Sequence, residues 1–212
     1  MTTVDRFLHS VLTHPLAMSL KRPLKDLWWW ASGWRFANPS IPARIDSILF
    51  VCHGNICRSP FAADLAAKLL RGEGHRHVRC ASAGIRTNPA SRPPSEAIEA
   101  AAVFGASFDN HQPLQVSDDV IAAFDLVVVM EAAHAAELRR RYPQAAKRIV
   151  LLSLLDDSAS GSYARYNIAD PFGQPFATFV DCYRRIKRAL TNLVTRLEVE
   201  EYQAAASGGR RS

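Results

Sequence analysis

At 212 residues the chain has room for one catalytic domain and an appendage. Its 48% hydrophobic and 22% charged residues exclude a disordered or fibrous protein, and no apolar run reaches the length of a membrane span. The net charge of +6 favours anionic partners such as phosphoesters, anionic lipid or nucleic acid without choosing among them.

Residues 1–45 form a basic, Trp-rich extension. Short helices are expected over Val4–Thr13 and Pro23–Trp30. All four tryptophans lie here (Trp28, Trp29, Trp30, Trp34), among Lys21, Arg22, Lys25 and Arg35. Indoles and cations together suit a membrane interface. The plainer reading, and the favoured one, is a helical arm packed on the domain with its indoles buried there; a disordered segment is the remaining alternative. Pro39 and Pro42 bracket an extended linker. No secretory signal is visible, so the four cysteines (Cys52, Cys57, Cys80, Cys182) are expected as free thiols in a reducing compartment.

From Ser47 strands alternate with helices. Ile48–Val51 reads as a buried strand. Pro60–Leu70 reads as a helix, with Ser59 suited to the N-cap and Pro60 to the first turn. His77–Ser82 is a second strand, Gly84–Pro94 a loop, and Ser95–Phe104 an alanine-rich helix. His111–Val116 is extended, and Ser117–Phe124 is a helical turn capped by Ser117. Leu126–Met130 is a third strand, Glu131–Tyr142 a helix and Arg148–Leu152 a fourth strand. A loop from Ser153 to Pro175 carries Asp170-Pro171-Phe172. Phe176, Phe179, Tyr183, Ile186, Leu190, Leu193 and Leu197 then repeat at helical steps. Residues 199–212 read as a flexible tail, with a polar stretch from Ala204. The pattern implies an α/β domain over 46–198: three layers, with a four-stranded parallel sheet between helices.

Ligands of such sheets bind beyond the C-terminal strand ends, where Cys52 and the Asp170 loop both fall. In Cys52-His53-Gly54-Asn55-Ile56-Cys57-Arg58-Ser59 a thiol lies inside a loop that leads into a helix N-terminus. Loop amides and the helix dipole favour an anion there. Gly54 lets the backbone curl. Arg58 offers a permanent two-pronged cation for phosphate oxygens. The same positive field favours the thiolate of Cys52, and Ser59 can donate to it. The Gly-Lys-Ser/Thr ending of a nucleotide-binding loop is absent. The Cys52–Cys57 spacing lacks a second ligand pair for zinc. Six chosen residue types at this spacing are expected by chance on the order of once in 10⁷–10⁸ windows.

This loop resembles the active-site loop of the low-molecular-weight protein tyrosine phosphatases. The likeness continues through Ala81–Gly84, His111, Phe124-Asp125, Met130-Glu131 and Asp170-Pro171-Phe172, over roughly residues 46–198. It implies the phosphatase I-like fold and a cysteinyl-phosphate mechanism. Cys52 is the nucleophile, Arg58 the phosphate clamp and Asp170 the acid and then the base. Phosphate is held by His53, Gly54, Asn55, Ile56, Cys57, Arg58 and Ser59, and no metal or other cofactor is needed. Asn55, Ser59, Ser82 and His111 form a supporting network, and Phe172 lines the substrate cleft. Cys57 either forms a reversible disulfide with Cys52 or simply packs. Relatives often carry two aromatic residues after Asp-Pro; here Gly173 follows Phe172 and leaves one wall open.

The implied partner is a phosphotyrosine protein, a tyrosine kinase among the candidates, and not nucleic acid. The extension could dock at a membrane surface or on a protein. A cytoplasmic location is expected, with peripheral membrane association as the alternative. The rival readings are arsenate reduction on the same fold and a non-catalytic phosphate-binding module. The former needs further cysteines to pass a disulfide on, and none lies between Cys80 and Cys182.

Overall fold

A computed structural model describes residues 37–208 except 43, 109 and 159–161. The helices expected in the first 30 residues, and the four tryptophans, lie outside the described residues.

Four short strands make the sheet: β1 (Ser47–Cys52), β2 (Arg79–Gly84), β3 (Leu126–Val129) and β4 (Ile149–Leu151), all but β2 dominated by buried apolar residues. All three pairings are parallel, in the order β2-β1-β3-β4. Parallel strands need crossover helices, which cover both faces. Alternate residues of β1 therefore enter two cores. Ile48, Phe50 and Cys52 face one side, packed with α1 (Arg58–Gly72), α2 (Ser95–Val103) and α6 (Phe176–Gly208). Leu49 and Val51 face the other, packed with α3 (Asp118–Ala122) and α4 (Ala132–Arg141). The three layers match the expected architecture. From β1 the chain goes first to β2 on one side and then to β3 on the other. The C-terminal end of β1 is thus the point where strand order reverses, and a crevice opens there. Cys52 occupies it.

Several boundaries differ from the sequence reading. β2 begins at Arg79, two residues later than expected, and runs on to Gly84. Helix α1 begins at Arg58, and its N-cap position is Cys57. Ser59 does not cap it, because its hydroxyl is used inside the loop. Ser117 does cap α3, accepting from Val120 N–H at 3.2 Å. The stretch read as a plain loop after β4 contains a 3-10 turn (Leu152–Leu155) and a short helix, α5 (Ser162–Tyr166). Helix α6 continues to Gly208, through the stretch read as a flexible tail. Glu200, Glu201, Gln203 and Ala204–Ala206 are good helix formers, which suits this continuation.

The segment before β1 lies on the domain. Asn38 donates from Nδ2 to Leu151 O at 3.0 Å and accepts from Leu151 N–H at 2.7 Å. Its carboxamide thus pairs with β4 as a neighbouring peptide group would. Ile45 is buried, and Ile41 packs on the core beside it.

Candidate active site

The loop after β1 is built around a strained residue. Asn55 has φ of 56°, and it is the one non-glycine residue with positive φ among those described. Asparagine tolerates this conformation better than most side chains. It is also held there. Its Nδ2 donates to Ser59 Oγ and to Ser82 Oγ, each at 2.9 Å. Its Oδ1 accepts from Leu114 N–H at 2.8 Å. His111 Nε2 lies 2.8 Å from Asn55 O and 3.1 Å from its Oδ1. Both partners are acceptors, so the Nε2–H tautomer is assigned. Burial lowers the His111 pKa, against the backbone bond to Asn55 that raises it. The expected network of Asn55, Ser59, Ser82 and His111 is therefore assembled in one place. Its far side faces an open groove of about 600 Å³ lined by Ser82, His111 and Cys80.

Gly84 lets β2 approach this loop. A Cβ at that position would lie 2.9 Å from His53 O and 3.0 Å from Asn55 Cβ. Any larger residue therefore pushes the loop away.

Cys52 is buried at the loop's base. Its Sγ is 3.0 Å from Ser59 Oγ and accepts from Asn55 N–H at 3.3 Å. Ser59 Oγ also lies 3.2 Å from Ala83 O. The hydroxyl carries a single proton, so it can serve Cys52 or Ala83 at one time. A thiolate takes that proton; a neutral thiol donates its own and leaves the hydroxyl to Ala83.

Arg58 is 1% exposed. Its Nη1 donates to Ile168 O at 2.9 Å and to Glu131 Oε1, and its Nη2 donates to Asp170 Oδ2 at 2.6 Å. The buried Nε has no partner. Burial works against the charge, but Cys52, Asp170 and Glu131 outweigh it and raise the pKa, so Arg58 stays a cation. The two Nη1 bonds fix the guanidinium. Its other edge, Nε with the second hydrogen of Nη2, remains to take two oxygens of one anion. Arg58 and Asp170 line a pocket of about 150 Å³ together with Cys52, His53, Gly54, Ile56, Cys57 and Phe172. Phe172 is 59% exposed at this site.

The structure thus brings Cys52, Arg58, Asp170 and Phe172 to one pocket with the loop residues. Cys57 is a free buried thiol. Burial pushes its pKa far up, and the Cys52 and Asp170 charges add to that against Arg58. Two contributors were given no role from sequence, although Glu131 falls within the family likeness. Glu131, two residues past the end of β3, anchors Arg58. Tyr183 stacks on Phe61 at 3.9 Å and donates its hydroxyl to Cys57 O at 3.3 Å. The signal for Glu131 was an acid placed just past a buried strand. Tyr183 had none, since it sits on the apolar stripe of α6. Among the described residues no group of three His, Cys, Asp or Glu side chains is placed to hold a metal.

Residues 47–203 match the family described as low molecular weight phosphotyrosine protein phosphatase. A Ralstonia nicotianae protein, the probable low molecular weight protein-tyrosine-phosphatase EpsP, is 30% identical over 72% of this chain and 97% of its own. Two solved structures superpose well. The tyrosine phosphatase Wzb from Escherichia coli K30, in complex with sulphate, is 27% identical with a TM-score of 0.64, over 73% of this chain and 99% of its own. The YwlE arginine phosphatase from Geobacillus stearothermophilus is also 27% identical, with a TM-score of 0.63, over 74% and 96%.

Proposed function

Because the chain belongs to the low molecular weight phosphotyrosine protein phosphatase family, we propose that it hydrolyses phosphotyrosine in proteins through a phosphocysteine on Cys52. It is a phosphoric monoester hydrolase of the protein-tyrosine-phosphatase type.

In the first step the Cys52 thiolate attacks phosphorus in line. The S–P bond forms and the P–O bond to the phenol breaks, while Asp170 gives its proton to the leaving oxygen. In the second step water attacks phosphorus and loses a proton to the Asp170 carboxylate. The S–P bond breaks, and Ser59 donates to the departing thiolate. Arg58 and the loop amides hold the equatorial oxygens throughout, where charge builds in the transition state. The observation that carries this reading is the buried Arg58, fixed through Nη1, with its Nε unpartnered, lining one pocket with Cys52 and Asp170.

A phosphotyrosine peptide, a phosphoarginine peptide and arsenate with thioredoxin are the three substrates to compare. Phosphate release from the first, abolished in Cys52→Ser, supports the proposal. Faster turnover of either of the others overturns it. Phe172 favours the first, since its exposed ring can stack on a phenyl group.

The partner follows as a tyrosine-phosphorylated protein, with a tyrosine kinase as a candidate. The N-terminal extension, residues 1–45, would dock at an anionic membrane surface or on a protein, the phosphatase itself working in the cytoplasm. No helix among the described residues is long and apolar enough to cross a membrane. Deleting residues 1–36 and measuring sedimentation with phosphatidylserine vesicles tests the membrane arm, and unchanged binding removes it.

A further inference from the structure

The stretch between β4 and α6 carries Asp170, and side chains of α6 hold it in shape. Arg185 donates from Nε to Asp156 Oδ2 at 3.0 Å, from Nη1 to Asn167 O at 3.0 Å and from Nη2 to Ala164 O at 2.9 Å. One guanidinium therefore ties the start of the stretch to its far part. Arg188 adds Nε to Asp156 Oδ1 at 3.2 Å and Nη2 to Oδ2 at 3.4 Å. Asn192 donates to Leu155 O at 2.7 Å. Asp156 is 1% exposed at its side chain, and its Oδ1 also accepts from the Ser158 hydroxyl at 2.6 Å. A carboxylate this enclosed and this fully bonded is a fixed point, not a solvated surface acid.

From Asn167 the acid is three residues away. Asn167 bridges to Glu131, and Ile168 N–H donates to Met130 O at 2.9 Å. Cys182 of α6 lies 3.7 Å from Ala169 O. These contacts all end on the backbone short of Asp170. The residue that grips the Asp170 carboxylate itself is Arg58. During the reaction that carboxyl must turn to the leaving oxygen, so the bond from Arg58 to the carboxylate cannot be what places it, although Arg58 also holds Ile168 O of the backbone at 2.9 Å. The backbone from Ala164 to Ala169 must do so, and Arg185 holds two of its carbonyls.

We propose that Arg185, locked by Asp156, is a positioning residue for proton delivery by Asp170, acting through the backbone of residues 164–169. This rests on Asp170 being the general acid. The proton moves from the Asp170 carboxyl to the phenolic oxygen as the P–O bond breaks, and a displaced loop lengthens that transfer. The cost therefore depends on how much the leaving group needs the proton.

Arg185→Met keeps the stem and removes all five N–H donors. The measurement is kcat/KM for aryl phosphates graded from 2,4-dinitrophenyl to phenyl, with a phosphotyrosine peptide, below the variant's thermal melt. The expected loss is about tenfold to a hundredfold on phenyl phosphate and the peptide, and about twofold or less on the dinitrophenyl ester. Arg188→Met, which touches Asp156 alone, should tilt the series the same way by less. A uniform loss across the series, or none, overturns the proposal. If Arg185→Met does not fold, Arg188→Met decides by the same comparison. Asp170→Ala is the reference. A loss there that ignores the leaving group removes Asp170 as the acid; a graded loss there beside a flat Arg185→Met removes only the role of Arg185.

Discussion

Ser59 Oγ lies 3.0 Å from Cys52 Sγ and 3.2 Å from Ala83 O, with one proton to give. The hydroxyl therefore follows the charge on sulfur. It stabilises the thiolate before attack and again when the phosphocysteine breaks. Ser59→Ala removes that donor and should lower kcat by about tenfold to a hundredfold. Stopped-flow with p-nitrophenyl phosphate should show a larger burst than the wild type, because the second step suffers as well. An unchanged kcat would refute this role.

Arg58→Lys keeps the charge and loses the fork. A single ammonium cannot bond Glu131 and Ile168 O while presenting two donors to phosphate. A fall in kcat/KM of about 10³ is expected, comparable to losing an oxyanion donor. Glu131→Gln keeps an acceptor but weakens the anchor. It should cost about tenfold, seen in weaker competitive inhibition by vanadate as well as slower turnover.

Gly84→Ala tests how tightly the loop is packed against β2. The added Cβ meets the Thr87 methyl at 2.6 Å, which can turn aside, and the backbone oxygen of His53 at 2.9 Å, which cannot, so the loop must move. About a hundredfold loss of kcat/KM is expected, with the fold kept. Vanadate binding should weaken in parallel. A fully active variant would show that the loop tolerates the shift.

Two buried groups set the acid limb of stability. His134 is buried with Nδ1 unpartnered. Burial, with the charges of Arg58 and His53, pushes its pKa down from 6.5 to about 3. Between those values the unfolded chain binds the extra proton, so stability is whole above 6.5 and falls as pH drops toward 3. Each pH unit in that window costs about 1.4 kcal/mol. Asp156 acts in a lower window. Burial opposes its charge, but hydrogen bonds from Arg188, Ser158 and Arg185 outweigh that and bring its pKa from 3.8 to about 2. Its contribution is whole above 3.8 and is lost as pH falls to about 2. Urea unfolding of His134→Asn should show a flatter dependence between pH 6.5 and 4 than the wild type, and an identical slope would exclude His134 as its source.

The loop from Cys52 to Ser59 was legible because its chemistry is local: eight consecutive residues carry the thiol, the turn, the cation and the hydroxyl. The sheet was legible because β1, β3 and β4 carry buried apolar runs; β2, with Arg79 and Ser82, is half-exposed, and its start was misplaced. Arg58's anchors were not legible. Glu131 and Ile168 O lie 73 and 110 residues downstream of it, and no periodicity marks them. Ser59 shows the opposite failure. It has the right type and place for a cap, but a buried sulfur and the carbonyl of Ala83 compete for its hydroxyl. On α6 the stripe of Phe179, Tyr183 and Ile186 announced a core helix. It also hid the fact that Arg185, between two of them, reaches back to the acid-bearing stretch.

Asn38 finally bears on where the catalytic unit can be cut. Strand β4 is at the edge of the sheet, and its last residue, Leu151, has both backbone groups satisfied by one carboxamide from before β1. A chain trimmed to begin at residue 46, where the family likeness starts, loses that partner and leaves a bare strand end. Bare edges invite pairing with a second chain. The shorter protein should therefore self-associate at concentrations where one starting at residue 37 stays monomeric by light scattering, and Asn38→Ala in the longer protein should reproduce the effect.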